Sequence, residues 1–503
     1  MRQTTSLDLT PAQLDRAVGA VLASAVGDAL GAGYEFGSAP YPGRPAMIGG
    51  GLGGFAPGEW TDDTAQAVAI ARVAATGADL RSSEALDAIA AGFADWYAPG
   101  PPDVGIQTSQ VLRLAGRTPT AVQMAHAARE VHERSGRSAG NVSLMRTAAV
   151  ALPHLDDPAA VVAAARAISA LTHHDPLAGD GAALWSLMIR HAILHGEFPT
   201  ADDVVGHLGD TAAHWRGLLA EAETRPPSDF GSNAWVVGAL QAAWSAIVHT
   251  PVPDGPLACV HLQDALATAI GIGHDTDTVA AIAGALLGAR WGASAVPQEW
   301  QGVLHGWGVE GGPGAGAAGL VAAATLAVRG GEPDAAGWPT GDHVDYRRYD
   351  LAGTCVPLPG VTGVWIGDAA ALDRLPSPTT PDITAVVSMC RVGRRQLPDG
   401  VVHHAVRLLD TTPAENPNAA FVIDDAARTV LRLRGAGHRV FLHCVAGQSR
   451  TPTVAARVAM LAGVPRETAV RDVVEALPDA YPQRWLLDVL TVLDAATDRP
   501  GPG

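Results

Sequence analysis

Apolar and small residues recur at helical spacing from about residue 12 to residue 330. The pattern is clearest in "LDRAVGAVLASAVGDALGAGYEFG", "DTAQAVAIARVAATG", "SLMRTAAVALPHL", "DPAAVVAAARAISALTHH" and "DTVAAIAGALLGARWG". Gly, Pro and Asp residues separate these segments, and no stretch alternates cleanly enough to predict a sheet. The pattern therefore predicts an all-α domain over residues 12–330.

The pattern changes after "GGEPDAAGWPTGDH", a stretch rich in Gly and Pro that predicts a linker over residues 331–352. Beyond it, β-like runs occur at "GVWIGD", "ITAVVSM", "HHAVRLLD" and "HRVFLHC". They alternate with helical patterns at "FVIDDAARTVLRLRGAG", "TPTVAARVAMLAG", "RETAVRDVVEAL" and "PQRWLLDVLTVLDAA". This alternation predicts an α/β domain over residues 353–498, so the chain is expected to be multidomain.

The composition narrows the classes of function. The chain has 503 residues, of which 48% are hydrophobic, and a formal net charge of −17. This acidic balance argues against nucleic acid or an anionic membrane as a partner. The sequence contains no lysine. The absence of lysine excludes Walker-type phosphate loops and lysine Schiff-base chemistry.

The cysteines and the apolar runs bear on the compartment. Cys259, Cys355, Cys390 and Cys444 are far apart and form no C-x-x-C pair, so neither a disulfide framework nor a zinc site is expected. The N-terminal segment lacks the pattern of a signal peptide. The longest clean apolar run is "AAGLVAAATLAV", well short of the ~20 residues of a membrane span. We therefore expect a cytoplasmic protein.

The segment "HCVAGQSRT", residues 443–451, lies between a strand-like run and a helical pattern. A lone cysteine at the end of a strand is most often a small buried hydrophobe. Here, however, five residues separate Cys444 from Arg450, and Thr451 stands at the helix start. Such a loop can direct backbone N–H groups at a tetrahedral anion, and Gly447 allows its tight curl. Arg450 can clamp two phosphate oxygens, so the spacing predicts a phosphate-binding loop with an activated thiol.

With its motif H-C-x-x-x-x-x-R-[ST], the segment from "GVTGVWIGDAAALDRL" onward resembles the dual-specificity branch of the cysteine-dependent protein tyrosine phosphatases. The resemblance implies that Cys444 is the nucleophile that forms a phosphocysteine and that Arg450 clamps the transition state. Ser449 would support the thiolate as a leaving group, and His443 would hold Cys444 in place. A phosphorylated substrate is therefore expected.

Family chemistry also requires a general acid, an Asp about thirty residues upstream of the nucleophile. "RLLDTTPAENPN" offers Asp410 just after a strand, and the alternative for this residue is a turn-forming role. Asp424 and Asp425 are the next candidates. The loop interior "VAGQ" has no basic residue, which argues against a phosphoinositide substrate.

Two acidic clusters in the N-terminal half each start an Ala-rich helix, one in "EWTDDTAQAVAIA" and one in "GHDTDTVAAIAGALLGARWG". Helix capping alone is the simpler interpretation of either cluster. Consecutive first-turn carboxylates repel one another, however, unless a cation lies between them. Brought together, the clusters predict an all-oxygen site for Mg²⁺ or Mn²⁺, and the absence of a nearby His/Cys set argues against zinc.

Six segments, in order along the chain, resemble the ADP-ribosylglycohydrolase family, all-helical enzymes related to dinitrogenase reductase-activating glycohydrolase. They are "GDALGAGYEFG", "WTDDT", "PDVGIQTSQVL", "SAGNVSLMR", "LTHHDPLAG" and "GHDTDT". The resemblance implies that two Mg²⁺-like ions hold ADP-ribose by its ribose hydroxyls and activate a water. Their implied ligands are Thr61, Asp62, Asp63, Asp275, Asp277 and Thr278.

The same resemblance implies further site residues. Glu35 would be a mobile acid near the metals, the alternative being a glutamate on a surface loop. The implied contacts of ADP-ribose are Ser138, Gly140, Asn141 and His173. For His173 the alternative is a core histidine. Two departures from the family pattern, Val142 and His274, each replace a glycine and bear on substrate preference.

Together the two halves predict a bifunctional hydrolase. One domain would remove ADP-ribose from a modified protein or small molecule, and the other would hydrolyse a phosphate monoester. Two alternatives stay open at this point. The chain could recognise modified groups without turning them over, or it could be a phosphatase whose helical half is a non-catalytic, metal-bound scaffold.

Overall fold

The computed structural model describes residues 7–311, 314–375 and 382–497, and these divide into two units. The first unit contains the described residues up to 253, together with 260–296 and 303–332. The second contains 254–259, 297–302 and the described residues from 333 onward. The first unit is helical and the second is built on a sheet, so the predicted pairing of an all-α with an α/β region is confirmed.

Helices account for the regular structure of the first unit, and strand pairing in its described part is confined to isolated bridges. The helices are α1 (Pro11–Gly31), α2 (Asp62–Ala74), α3 (Ser83–Tyr97), α4 (Ile106–Ala115), α5 (Ala121–Ser135), α6 (Val142–Met145), α7 (Pro158–Ala170), α8 (Pro176–His195), α9 (Ala201–Val204), α10 (Ala212–Thr224), α11 (Val236–His249), α12 (His261–Gly271), α13 (Thr276–Trp291) and α15 (Ala315–Val328). The pattern predicted a longer helix in "SLMRTAAVALPHL". Only α6 and a short 3₁₀ turn form there, and residues 148–151 between them are in turns.

Helices α1 and α13 form the centre of this unit and touch through their backbones. A Cβ on Gly27 would lie 2.1 Å from the carbonyl oxygen of Ala280, and one on Gly284 would lie 2.2 Å from that of Ala23. Only glycine permits such an approach. Thr276 Oγ1 also donates to the carbonyl of Gly31 at 2.8 Å. The contact fixes the N-terminal end of α13 against the C-terminal end of α1.

The segment Pro11–Gly37, which includes α1, is the one part of the described chain long and apolar enough to cross a membrane by length and composition. Its apolar window is fully buried inside the protein. The longest apolar run identified from the sequence is instead a shorter one near residue 320. The segment was overlooked because Asp15, Arg16 and Asp28 interrupt its apolar sequence.

The second unit holds a five-stranded sheet of order β1-β2-β5-β3-β4. Its elements are β1 (Cys355–Pro357), β2 (Val364–Asp368), β3 (Ala385–Ser388), β4 (Val402–Ala405) and β5 (Val440–Cys444), with helices α14 (Gln298–Gln301), α16 (Ala419–Gly435), α17 (Arg450–Leu461), α18 (Arg466–Ala476) and α19 (Arg484–Thr497). Strands β2, β5, β3 and β4 are parallel, and β1 runs antiparallel to β2. The four predicted strands are confirmed. The three-residue β1 was missed because it is too short to show a pattern.

The central strand β5 is buried along its whole length. Its register pairs Cys444 with Asp368 of β2 and His443 with Ser388 of β3. Ligand sites of parallel sheets lie at the carboxyl ends of the strands. The loop that follows Cys444 is at that edge.

Residues 333–352, most of the predicted linker, belong to the second unit. Asp334 forms an ion pair with Arg391. The backbone N–H of Val344 donates to Gln396 Oε1 at 3.2 Å, and Val344 is 3% exposed. This stretch is therefore packed on the α/β unit along much of its length.

Candidate active sites

The first candidate site is a cluster of carboxylates where α1, α2 and α13 meet. The oxygens of Asp28, Asp63 and Asp277 lie within 4.8 Å of one another, and so do those of Glu35, Asp275 and Asp277. Asp277 belongs to both groups. Of the six predicted metal ligands, Asp63, Asp275 and Asp277 are thus in direct proximity, and Glu35 joins them.

Burial makes this cluster costly without a counter-ion. Burial raises the pKa values of Asp63 and Asp277 well above their usual range, and neighbouring carboxylates raise them further. It also raises the pKa of Glu35 to about 8, with Asp103 adding to the effect. One oxygen each of Glu35, Asp63 and Asp277 is buried without a hydrogen-bond partner. Unpartnered oxygens from several carboxylates form a donor set that fits a hard cation.

Asp28 is a member of this cluster that the sequence analysis missed. It lies in α1, is 0% exposed, and accepts hydrogen bonds from the backbone N–H groups of Thr61 and Thr64 and from Thr64 Oγ1. Burial raises its pKa to about 6, although these hydrogen bonds oppose the shift. Asp28 therefore caps α2 from another helix. Its segment was quoted for the family resemblance, but a single Asp inside an apolar helix has no local signature.

The hydroxyls and the remaining predicted ligand are arranged around Asp63. Thr61 Oγ1 donates to Asp63 Oδ2 at 3.1 Å, and Thr278 Oγ1 does so at 3.4 Å. Asp62 lies outside both close groups and accepts from Gln66 Nε2 at 3.2 Å. Burial and then Asp103, half-buried and also missed from the sequence, raise the pKa of Asp62.

Glu35 lies near the predicted metal ligands and is not on a surface loop, which was the alternative for this residue. It is 5% exposed and lies in the turn after α1, where Phe36 has a φ of 45° and donates its N–H to the carbonyl of His274. His274 itself has a φ of 62°, the left-handed conformation that favours the glycine it replaces. Both unusual backbones hold Glu35 against the second carboxylate group.

A cavity of about 1000 Å³ opens in the same unit. Ser138 and Gly140 line it, as do Gln107, Arg137, Trp235 and His274. The substitution at 274 thus places an imidazole in the cavity wall. The other departure, Val142, packs towards Gly105, where an added Cβ would lie 3.0 Å from its Cγ2.

The other two predicted substrate contacts are buried behind this wall. Asn141 Nδ2 donates to Asp275 Oδ2 at 2.7 Å and to the carbonyl of Asn233, so its amide is engaged by the carboxylate cluster. His173 is 2% exposed, and its Nε2 has no partner. A Cβ on Gly140 would lie 3.4 Å from that nitrogen. His173 therefore supports the loop from within.

The second candidate site is the loop after β5. Cys444 is 1% exposed, and Gly447 has a φ of 72° at the turn. Helix α17 begins at Arg450, and Thr451 Oγ1 donates to the carbonyl of Gly367 at 3.2 Å. The loop thus connects the end of a buried strand with the N-terminus of a helix, as the spacing predicted.

The guanidinium of Arg450 is anchored by backbone carbonyls and lies beside a carboxylate. Its Nη1 donates to the carbonyls of Met389 and Leu408 at 2.6 and 3.2 Å. Its Nε has no hydrogen-bond partner and lies 3.5 Å from Asp410 Oδ2. The guanidinium is thus fixed by two backbone carbonyls and lies beside the Asp410 carboxylate.

Gln483, which the sequence analysis missed, joins the predicted acid to the loop. Its Nε2 donates to Asp410 Oδ1 at 2.6 Å, and its backbone N–H donates to Ser449 Oγ at 3.3 Å. Asp410 therefore lies beside both Arg450 and the loop. The reserve candidates are engaged elsewhere, Asp424 by Arg457 and Asp425 by the N–H of Gln298.

His443 is fixed beneath the loop by a second missed residue, Ser388. His443 Nε2 lies 2.7 Å from Ser388 Oγ, and its Nδ1 lies 3.1 Å from the carbonyl of Cys444. Burial lowers the pKa of His443 to about 4. Cys390 Sγ is 3.7 Å from the same Nδ1. The register of β3 and β5, which places Ser388 opposite His443, cannot be predicted from the sequence of either strand alone.

Comparison with known proteins decides the class of the helical unit. A model of the ADP-ribosylglycohydrolase family matches residues 9–332. The chain belongs to the ADP-ribosylglycohydrolase family. This family is generally metal-dependent, in agreement with the carboxylate groups. Membership supports the predicted hydrolase activity on ADP-ribose.

Relatives of this family member come from bacteria and animals. The chain is 29% identical over 299 residues to ADP-ribosyl-[dinitrogen reductase] glycohydrolase of Rhodospirillum rubrum, covering 58% of this chain and 90% of that protein. It is 28% identical to ADP-ribosylarginine hydrolase Tri1 of Pseudomonas putida, covering 59% and 76%. It is 29% identical to human ADP-ribosylhydrolase ARH3, covering 49% and 75%.

Two solved structures align with parts of the chain. An ADP-ribosylglycohydrolase-related protein complex aligns with a TM-score of 0.47 at 24% identity, over 64% of this chain and 99% of that one. Human DUSP28 aligns with a TM-score of 0.26 at 20% identity, over 29% of this chain and 95% of that one.

Proposed function

We propose that the helical unit is a metal-dependent hydrolase that releases ADP-ribose from a modified acceptor. The observation that carries the proposal is the set of buried, unpartnered carboxylate oxygens of Glu35, Asp63 and Asp277. Asp28 and Asp275 complete the two groups that would hold ions of the Mg²⁺ class. When bound, such ions supply Lewis-acid stabilisation and an acidified water.

The residues of the chain itself would place the substrate. Ser138 and Gly140 line the cavity and would bind ADP-ribose, while Asn141 orients Asp275 by its 2.7 Å hydrogen bond. Asp175 and Asp229 also line the cavity, where Arg137 is the one arginine. The Asp229 carboxylate is paired with Arg225 and Asp175 accepts from the N–H of Leu177, so the choice of acceptor rests on two relatives named as ADP-ribosylarginine hydrolases. ADP-ribosylarginine is therefore the first substrate to test.

The test is release of free ADP-ribose, measured by mass spectrometry, from proteins modified on arginine or on serine. We expect release from at least one linkage in the presence of Mg²⁺ or Mn²⁺, with arginine preferred. Asp277→Asn removes the carboxylate shared by both groups and should lower the rate by about two orders of magnitude or more. Cys444→Ser is the matched control and should leave release unchanged. Full release by Asp277→Asn would overturn the proposed metal site.

We further propose that the α/β unit hydrolyses phosphate monoesters. The supporting observation is Arg450, which begins α17 at the end of the loop, is anchored through Nη1 by two carbonyls, and lies 3.5 Å from Asp410 through Nε. In this proposal the Cys444 thiolate forms a bond to phosphorus, and the bond from phosphorus to the leaving oxygen breaks. Asp410 gives its proton to that oxygen. Water then cleaves the S–P bond, and Asp410 takes a proton from it.

Cys444→Ser distinguishes this activity from simple recognition of phosphate. The variant should lose turnover of an artificial aryl phosphate completely. It should still bind tungstate, because the loop amides and Arg450 are intact. Wild-type protein that binds tungstate without any turnover would instead support a recognition module. Turnover by Cys444→Ser near the wild-type rate would exclude the covalent mechanism.

A further inference from the structure

Arg146 is a buried cation that the proposed chemistry does not use. It follows α6, is 0% exposed, and packs its guanidinium over the ring of Phe93 at 4.5 Å. Burial lowers its pKa to about 9, which still leaves it charged at neutral pH. A charge in this position must be stabilised by its neighbours. Those neighbours lead in two directions.

One direction leads to the carboxylate cluster. Arg146 Nη1 donates to Gln66 Oε1 at 2.6 Å. An arginine has only donors, so this contact fixes which end of the Gln66 amide is the oxygen. The amide nitrogen then faces away from Arg146 and donates to Asp62 Oδ2 at 3.2 Å. The Gln66 amide therefore cannot flip, and it always presents its N–H group to Asp62.

The other direction leads to the cavity wall. Arg146 Nη2 donates to Thr172 Oγ1 at 2.7 Å and to the carbonyl of Ile168 at 3.2 Å. Thr172 Oγ1 is 2.8 Å from His173 Nδ1. If His173 carried its proton on Nδ1, the Thr172 hydroxyl would accept from both sides, and its own hydrogen would be buried without an acceptor. The satisfied arrangement has the hydroxyl donating to Nδ1.

This arrangement places the proton of His173 on Nε2. Burial and the charge of Arg146 lower the pKa of His173 to about 3, so the ring is neutral. Its Nε2 is buried, unpartnered, and close to Gly140 of the cavity wall. A neutral N–H in this position lies behind Gly140 and supports the loop that lines the cavity.

We propose that Arg146 is a positioning residue that sets the direction of hydrogen bonding on both sides of the site. Through Gln66 it presents a donor to Asp62, and through Thr172 it fixes His173 as the Nε2–H tautomer behind Gly140, in the wall that would bind ADP-ribose. The ligand in the second part rests on the proposed hydrolase function. The tautomer and the metal-side contact do not.

The contacts through Gln66 (the metal branch) and through Thr172 (the substrate branch) can be removed separately in the full-length protein. Gln66→Leu removes the contact with Asp62 and leaves Thr172 in place. Thr172→Val removes the hydroxyl and leaves Gln66 in place, and Thr172→Ser restores the hydroxyl as a conservative control. Three measurements follow: Mn²⁺ affinity by calorimetry, the ¹⁵N spectrum of the histidine rings, and affinity for ADP-ribose. The His173 signals are assigned by their loss in His173→Asn.

We expect wild-type His173 to carry its proton on Nε2. Gln66→Leu should weaken Mn²⁺ binding by about 10–100-fold, the range seen when an outer contact of a ligand is lost, with the His173 spectrum unchanged. Thr172→Val should change the His173 spectrum and weaken ADP-ribose binding about tenfold, with Mn²⁺ affinity within about twofold of the wild type. Thr172→Ser should resemble the wild type.

A wild-type His173 protonated on Nδ1 would overturn the substrate branch. Unchanged Mn²⁺ affinity in Gln66→Leu would overturn the metal branch. If both variants altered both measurements equally, Arg146 would be only a packing residue and the proposal would fail. Wild-type protein that shows the expected tautomer but binds no ADP-ribose would contradict the hydrolase function while supporting the assignment of Arg146.

Discussion

The helical unit and the α/β unit each carry a candidate site for a phosphate-containing ligand, and the two differ in where their positive charge comes from. The first gathers buried carboxylates around Asp277 and leaves three of their oxygens unpartnered. The second places the N-terminus of α17 and the anchored guanidinium of Arg450 at the end of one loop. In the proposed functions the first would need a cation from solution, whereas the second would supply its own donors.

The charge of the chain follows the same division. Residues 1–332 and 333–503 contain 17 arginines each, but the first part has 32 acidic residues and the second 19. The net charge of −17 is thus carried almost entirely by residues 1–332. The acidic balance of the chain therefore does not by itself argue against an anionic ligand in either half, because local donors or a bound cation would decide the sign of the site.

Chelation is the sharpest way to separate the two sites. Excess chelator should abolish ADP-ribose release and leave aryl phosphate hydrolysis within about twofold of its initial rate. Mg²⁺ or Mn²⁺ should restore the first activity. Both rates are measured in one reaction, so inactivation of the sample as a whole would be visible. Loss of both activities would mean that the contrast between the sites is wrong.

Asp410→Asn examines the proton supply of the second site. It should slow esters with poor leaving groups by about 10²–10⁴, since only these need a proton in the transition state. Aryl esters with good leaving groups should change little. The comparison is made on kcat for a series of esters of graded leaving-group pKa. An equal loss across the series would assign the acid to another residue.

The pH dependence of stability should distinguish the units in metal-free protein. The folded-state pKa values of Asp28 and Glu35 are raised to about 6 and 8, above their unfolded values. Their folded forms therefore retain protons that the unfolded chain loses. The resulting stability is present below about pH 4 and is lost as the pH rises through 6 and 8.

We expect the melting temperature of the helical unit in chelator to fall by roughly 4–10 °C between pH 5 and pH 8. Added Mn²⁺ should reduce the fall, because the cation then takes the place of the protons. Asp277→Asn should reduce it in the absence of metal. Calorimetry across this range provides the measurement. A melting temperature that rises with pH in chelator would contradict the origin assigned to these shifts.

Ser388→Ala gives the smallest expected effect. It leaves His443 Nε2 buried without its 2.7 Å partner, and turnover of the aryl phosphate should fall by no more than about tenfold. Ser169→Ala is a matched control, since the Ser169 hydroxyl is buried but has no partner. It should leave both activities unchanged. A fall of the same size in both variants would remove Ser388 from the positioning of His443.

The sequence was sufficient wherever the signal is local. Spacing within one segment was enough to identify three features: Thr61–Asp63, Asp275–Thr278 and the loop 443–451. In the structure they lie at helix starts or at a strand end. The four longer strands and helices α16 to α19 were predicted for the same reason. Periodicity and capping are properties of neighbouring residues.

The sequence was insufficient wherever the partner is distant. Asp28 gains its role from a helix that begins 34 residues later, Ser388 from a strand register, and Gln483 from a contact 73 residues away. Asn141 was placed in the substrate site by resemblance, yet its amide donates to Asp275, 134 residues further along. These contacts depend on tertiary packing, which no single segment encodes.

The pairing of α1 with α13 has a consequence for how the protein is made. Gly31 and Thr276, which join the two helices, are 245 residues apart in the chain. A ribosome adding about 5–20 residues per second needs on the order of 10–50 s to cover that separation. For this interval a nascent helix apolar enough to cross a membrane has emerged without the partner that buries it. Synthesis therefore exposes the helix that carries Asp28 to holding chaperones long before the carboxylate cluster can assemble.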